Sequence, residues 1–188
     1  ARMELKDGTV LVFDGENAWV SPADADVENA RFDLLTWPYF MVVRFKLGDP
    51  GAKLSAGGRQ PLLESQHPTA RLTFGEGVGD APDDWYLIFL DPKTNHIRAM
   101  SYIVTYWSGQ PKGEPESHLI LYDDYKKVDG VWFSHRWTFH HWDDEQGVHG
   151  DPIGEVTISN AEFREADPSL FEKPENARED EHPRASAI

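Results

Sequence analysis

The 188-residue chain contains no cysteine. That excludes a disulfide framework, a thiolate zinc site, an iron–sulfur cluster and a thiol nucleophile. It leaves the redox compartment open, because a large domain can dispense with disulfides. Basic residues are scarce: 18 Lys and Arg stand against 33 Asp and Glu, a net charge of −15 with His neutral. Such a chain repels a phosphate backbone, and the only adjacent basic pair, Lys126-Lys127, follows Asp123-Asp124. Nucleic acid and anionic membrane surfaces are disfavoured as partners. No run approaches the length of apolar chain that a membrane helix needs, and no cleavable leader is present in these residues. Helical periodicity is scarce too. Only residues 31–47 carry it, with Phe32, Leu35, Tyr39, Phe40, Val43 and Leu47 recurring at three and four.

What is abundant is β signal. The hydrophobic share of 39% with seven Trp supports a packed core. Arg2–Leu5, Thr9–Phe13 and Ala18–Val20 are short β-rich runs separated by Asp7-Gly8 and Asp14-Gly15, the turn pairs that accept the positive φ of tight hairpins. A chain that opens inside a meander is expected to be preceded by further residues. Pro38 is expected to divide the helical stretch into pieces near 31–36 and 38–45, and residues 48–68 read as a Gly- and Pro-punctuated loop. Six strands follow, over 69–75, 84–90, 96–107, 117–125, 131–142 and 153–163, joined by short turns. The expected fold is mainly β: a curled antiparallel sheet of about nine strands with a short helical lid, in one domain over 1–172. Residues 173–188 read as a charged, frayed tail.

Several strands are apolar on both faces, among them Trp85–Leu90 and Leu119–Tyr122. In 131–142 one face holds Val131, Phe133, His135, Trp137, Phe139 and His141, the other Trp132, Ser134, Arg136, Thr138, His140 and Trp142. Such strands need cover on both sides or an apolar concavity; a filled core or an oligomer interface satisfies the same pattern.

Chemistry-bearing clusters are few. His140 to Asp151 is rich in His, Asp and Glu, but His140 and His141 are adjacent on a strand and point to opposite faces, so they cannot chelate together. His140 and His149 are the best pair across this hairpin, and no metal is assigned. Gly75-Glu76-Gly77-Val78-Gly79 opens no helix and cannot cradle phosphate; Ser134-His135 lacks the flanking glycines of a nucleophile elbow. No cofactor and no catalytic residue are assigned.

Trp37-Pro38-Tyr39-Phe40, Asp49-Pro50-Gly51, Leu90-Asp91-Pro92-Lys93-Thr94, Tyr122-Asp123-Asp124-Tyr125, Val128-Asp129-Gly130-Val131 and Asp167-Pro168-Ser169-Leu170-Phe171 resemble an uncharacterised bacterial family related to the LolA/LolB lipoprotein carriers. Val12-Phe13-Asp14-Gly15 with Ala18-Trp19 resembles the opening hairpin of the carriers. The resemblance implies an unclosed half-barrel with a greasy interior, a periplasmic or otherwise extracytoplasmic location, and an N-terminal helix and strands that this chain lacks. The carriers' functional residues find no counterparts here. The expected function is therefore a carrier or sensor of an apolar or amphipathic ligand, such as a lipoprotein acyl chain, rather than an enzyme. The expected lining is Trp37, Phe40, Val43, Phe89, Tyr102, Phe133, His135, Trp137 and Phe139. The alternatives are an enzyme using His135 or His141 beside Arg136 or Tyr102, and a structural domain that oligomerises through its apolar face.

Overall fold

The computed structural model describes residues 1–107 and 117–182. The fold is mainly β and antiparallel, with strands β1 (Arg2–Glu4), β2 (Val10–Phe13) and β3 (Ala18–Ser21), helix α1 (Ala30–Lys46), then β4 (Ala52–Leu62), β5 (Ser65–Phe74), β6 (Tyr86–Leu90), β7 (Ile97–Tyr102), β8 (His118–Val128), β9 (Val131–Asp143), β10 (Gly147–Thr157) and β11 (Arg178–Glu179). Instead of one sheet of about nine strands there are two unclosed sheets, ordered β1-β2-β3-β11 and β10-β9-β8-β7-β6-β5-β4. The chain gathers into two compact units, 1–43 with 164–188 and 44–163.

In the first unit, Gly8 and Gly15 take the positive φ that their turns require. The Asp14 carboxylate accepts the amides of Glu16 and Asn17 and the indole N–H of Trp19, which together hold its pKa down to about 2. Leu11, Ala18, Val20, Ala30 and Leu34 form the core. The C-terminal segment is not a free tail through residue 182. Arg178 and Glu179 pair with Val20 and Trp19, the Arg178 guanidinium donates to the Val27 carbonyl at 2.6 Å, and Asp180 accepts the Arg31 amide at the start of α1 at 2.9 Å. Residues 183–188 lie outside the described residues. Helix α1 runs through Pro38, where a break was expected, and leaves helical geometry at Val42 (φ −111°, ψ 15°). The proline forgoes one amide hydrogen bond, which a long helix can absorb.

The second unit is the seven-stranded sheet. Strand β4 occupies most of what reads in sequence as the loop 48–68. Its Gly57-Gly58 and Pro61 mask it, yet these residues suit a bulged edge strand. A Cβ at Gly57 would sit 2.4 Å from Thr69 Oγ1, so glycine is required for β5 to approach.

This sheet curls. Phe89 on β6 and Trp142 on β9 are three strands apart, about 14 Å on a flat sheet, yet their rings meet at 6.4 Å. The face that carries them is therefore concave. Leu62, Leu87, Phe89, Ala99, Leu119, Leu121 and Trp142 pack together on it, with Phe89, Ala99 and Leu119 wholly buried. Strand alternation places Phe133, His135, Trp137, Phe139 and His141 on the opposite, convex face. There Phe133 packs against Phe45 and Phe163.

The curled interior should behave as the core of this unit. We expect Phe89→Ala to cost about 3–5 kcal/mol, and Trp132→Ala, at a half-exposed position, about 1 kcal/mol or less. Urea melts read by circular dichroism compare them; equal losses would mean that Phe89 is not part of the core.

Candidate functional site

Two hairpin turns from opposite ends of the strands meet across the curl of the sheet. Leu63, at positive φ, and Glu64 link β4 to β5, and Asp143–Gly147 links β9 to β10. The curl brings these turns together around a cleft of about 210 Å³. Its floor is apolar: Leu62 and Trp142 are buried members of the core, and Val148 packs against them. Its rim is polar and acidic, with Gln60, Asp144, Glu145 and Gln146 exposed or half-buried around it.

Asp143 builds the rim turn. One carboxylate oxygen accepts the amides of Gln146 (2.6 Å) and Glu145 (2.8 Å); the other accepts the Gln146 side chain and stands 3.1 Å from His149 Nε2. The Gln146 amide, then the Glu145 amide and the charge of His149, hold its pKa below the ordinary carboxylate range. Trp142 is fixed by Ser117, whose hydroxyl donates to the Trp142 carbonyl and whose carbonyl accepts the Trp142 amide.

The convex face carries a second feature at the end of the sheet where β9 turns into β10. Tyr86, Tyr102, His118, His141 and His149 are direct register partners on β6 to β10, one ring per strand. Successive ring centroids lie 6.5, 5.9, 5.8 and 5.9 Å apart, and Phe74 of β5 extends the row beyond Tyr86.

Of the residues expected to line one cavity, Trp37, Phe40 and Val43 lie on α1 in the first unit. Phe40 and Val43 are buried there, while Trp37 is 38% exposed and donates its indole N–H to Asp33. In the second unit Tyr102, Phe133, His135, Trp137 and Phe139 share the convex face and are buried. Phe89 is on the other face, since it registers with Ala99, then Leu121, then Thr138. These six residues cannot line one concavity. Side-chain alternation separates them, and the concavity itself is filled.

The expected catalytic pairing of a histidine with Arg136 is divided in the same way, whereas the pairing with Tyr102 is not. Arg136 projects from the concave face and forms an exposed ion pair with Glu155, whereas His135, His141 and Tyr102 are on the convex one. His135 Nδ1 faces the Phe133 carbonyl at 3.1 Å, a structural contact. Arg98 is half-buried against Asp123 and the Tyr122 carbonyl. Ser134 donates to the Asp123 carbonyl. Sequence reasoning missed Trp142, Leu62 and Val148 as a cleft floor and the His118–His141–His149 row. Once the hairpin register is known, both follow from strand alternation.

No family model matches this chain, and neither the curated proteins nor the solved structures contain a match.

Burial pushes the Tyr102 phenol up to about 12, which keeps it protonated and unsuited to act as a base. The folded pKa lies above the unfolded value of about 10, so the associated stability is complete below pH 10 and is lost as pH rises through the folded value. Denaturant melts between about pH 9 and pH 12 should show stability falling. Tyr102→Phe should lose less over that range than the parent, and an equal loss in both would contradict the burial argument.

Proposed function

We propose that the protein is a non-catalytic carrier or sensor that takes part of an amphipathic ligand into the mouth of the curled sheet. The observation that carries this reading is the cleft between the two hairpin turns, apolar at its floor and acidic at its rim. The filled interior leaves no room for a long chain to thread the concavity. A volume of about 210 Å³ is below the usual 300–1,000 Å³ of pockets that enclose a drug-sized ligand, so the cleft holds one segment of its ligand. Each methylene moved from water onto Trp142, Leu62 and Val148 contributes about 0.8 kcal/mol, less the cost of ordering. The rim then selects the headgroup. Asp144 and Glu145 favour a cationic or hydrogen-bond-donating head, and a net charge of −15 raises the local concentration of cations. The resemblance to the lipoprotein carriers belongs to the same proposal, with an extracytoplasmic setting in which amphipathic molecules need carriage.

The test compares decyltrimethylammonium with decanoate, both below micelle-forming concentrations, by calorimetry and thermal melts. We expect the cation to bind and raise the melting temperature, and decanoate to bind more weakly. Asp144→Asn with Glu145→Gln removes exposed charges worth about 0.2–1 kcal/mol each, a loss of roughly two- to thirtyfold for the pair. Equal binding of both amphiphiles, or binding of neither, would sink the proposal. Native mass spectrometry with solvent extraction of the purified protein identifies any ligand carried from the cell.

A further inference from the structure

The convex face carries an arrangement that the ligand cleft does not use. His141 and His149 are direct cross-strand partners on β9 and β10, with ring centroids 5.9 Å apart and ring planes within 19°. Two imidazoles that share one first-row transition ion have centroids about 5–6 Å apart, given metal–nitrogen bonds near 2.0–2.1 Å. Asp143 Oδ2 stands 3.1 Å from His149 Nε2, the separation of two donors on one ion. The turn amides of Glu145 and Gln146 hold the other oxygen of that carboxylate, so Asp143 is positioned before any ion arrives. His118 follows His141 in the same row at 5.8 Å.

We propose that His141 and His149, with Asp143 as third donor, form a surface clip for a divalent transition-metal ion. Among the described residues no group of three such side chains is placed to hold a metal ion as it stands. The clip therefore closes on the ion by rotation of the two rings, with the strands fixed by their register, and water completes the coordination. Two imidazoles and a carboxylate suit Zn²⁺, Ni²⁺ or Cu²⁺ and are a poor set for Ca²⁺ or Mg²⁺. The acidic surroundings, with Asp144, Glu145 and Asp151 close in sequence, draw cations of any kind and do not by themselves select one. His140, the neighbour on the same strand, points to the concave face and contacts Thr138 Oγ1 at 2.9 Å. It is the internal control.

The experiment titrates the full chain with Zn²⁺ by calorimetry, in parallel with Ca²⁺, and records the electron paramagnetic resonance spectrum of the Cu²⁺ form. We expect one equivalent of Zn²⁺ to bind, no competition from Ca²⁺, and nitrogen hyperfine structure from two imidazoles. His141→Gln and His149→Gln should each weaken binding by about tenfold or more, Asp143→Asn by a smaller factor, and His140→Gln by less than about twofold. Far-ultraviolet circular dichroism and metal-free melts establish that each variant is folded. Absence of saturable Zn²⁺ binding up to millimolar metal would overturn the proposal. So would a loss in His140→Gln as large as that in His149→Gln, or a Cu²⁺ spectrum with oxygen ligands only. A ligand in the cleft is not required for any of these readouts.

Discussion

The contact between Phe89 and Trp142 governs the second unit. It exists only because the seven-stranded sheet bends far enough for a ring on β6 and a ring on β9 to meet at 6.4 Å. The bend has visible causes. The ladder shifts register between Ala56 and Gly58, between Phe89 and Leu90, and between His149 and Gly154, and each irregularity adds local twist and lets a strand turn. Once the sheet has bent, its concave face is too narrow for anything but its own side chains. Leu87, Ala99, Leu119 and Leu121 fill it, and the two end turns meet over Leu62 and Trp142. The cleft is the unfilled remainder of the core, where the strands run out before the apolar surface does.

This explains which parts of the fold were legible in the sequence. The Asp-Gly turns, the antiparallel succession from β6 to β9 and the apolar character of both faces follow from local chemistry, because glycine at positive φ and runs of β-favouring residues act over a few positions. Strand β4 was hidden because an edge strand needs little hydrophobicity and tolerates Gly57, Gly58 and Pro61. The short β11 was hidden for a different reason. Arg178-Glu179-Asp180 has the composition of a solvated tail, and its place depends on partners more than 140 residues away, at Val27 and Arg31.

The site was less legible than the fold, and β9 shows why. Its odd-numbered residues are the more aromatic, so they look like the inner wall; its even-numbered residues include Thr138, His140 and Arg136 and look solvated. The direction of curl decides otherwise, and curl is a property of seven strands together. One aromatic at the end of the even set, Trp142, carries the concave face of β9 into the core, while the odd set lies on the convex side, buried in its own right. Assigning Phe89 and Phe139 to one cavity required a relative parity that only the β6-to-β9 ladder supplies.

The same parity argument recasts the histidines and the acidic excess. Adjacent His140 and His141 do diverge, but the partner of His149 across the hairpin is His141, while His140, expected to pair with it, is on the opposite face. The register that carries His141 across to His149 also carries it to His118, and a three-ring row results from residues spaced 23 and 8 apart in sequence. The carboxylates are likewise more than solvation. Asp7, Asp14, Asp91 and Asp143 each accept backbone amides within their own turns, and those bonds lower all four pKa values. A depressed carboxylate stabilises the folded state above its unfolded pKa, and that contribution is lost as pH falls through the folded value. Lowering the pH through those folded values therefore weakens the hairpin turns, including the turn that forms the rim of the cleft and holds Asp143 beside His149. The turn that shapes the rim of the cleft and holds Asp143 beside His149 is thus one electrostatic element, set by two amides and one carboxylate.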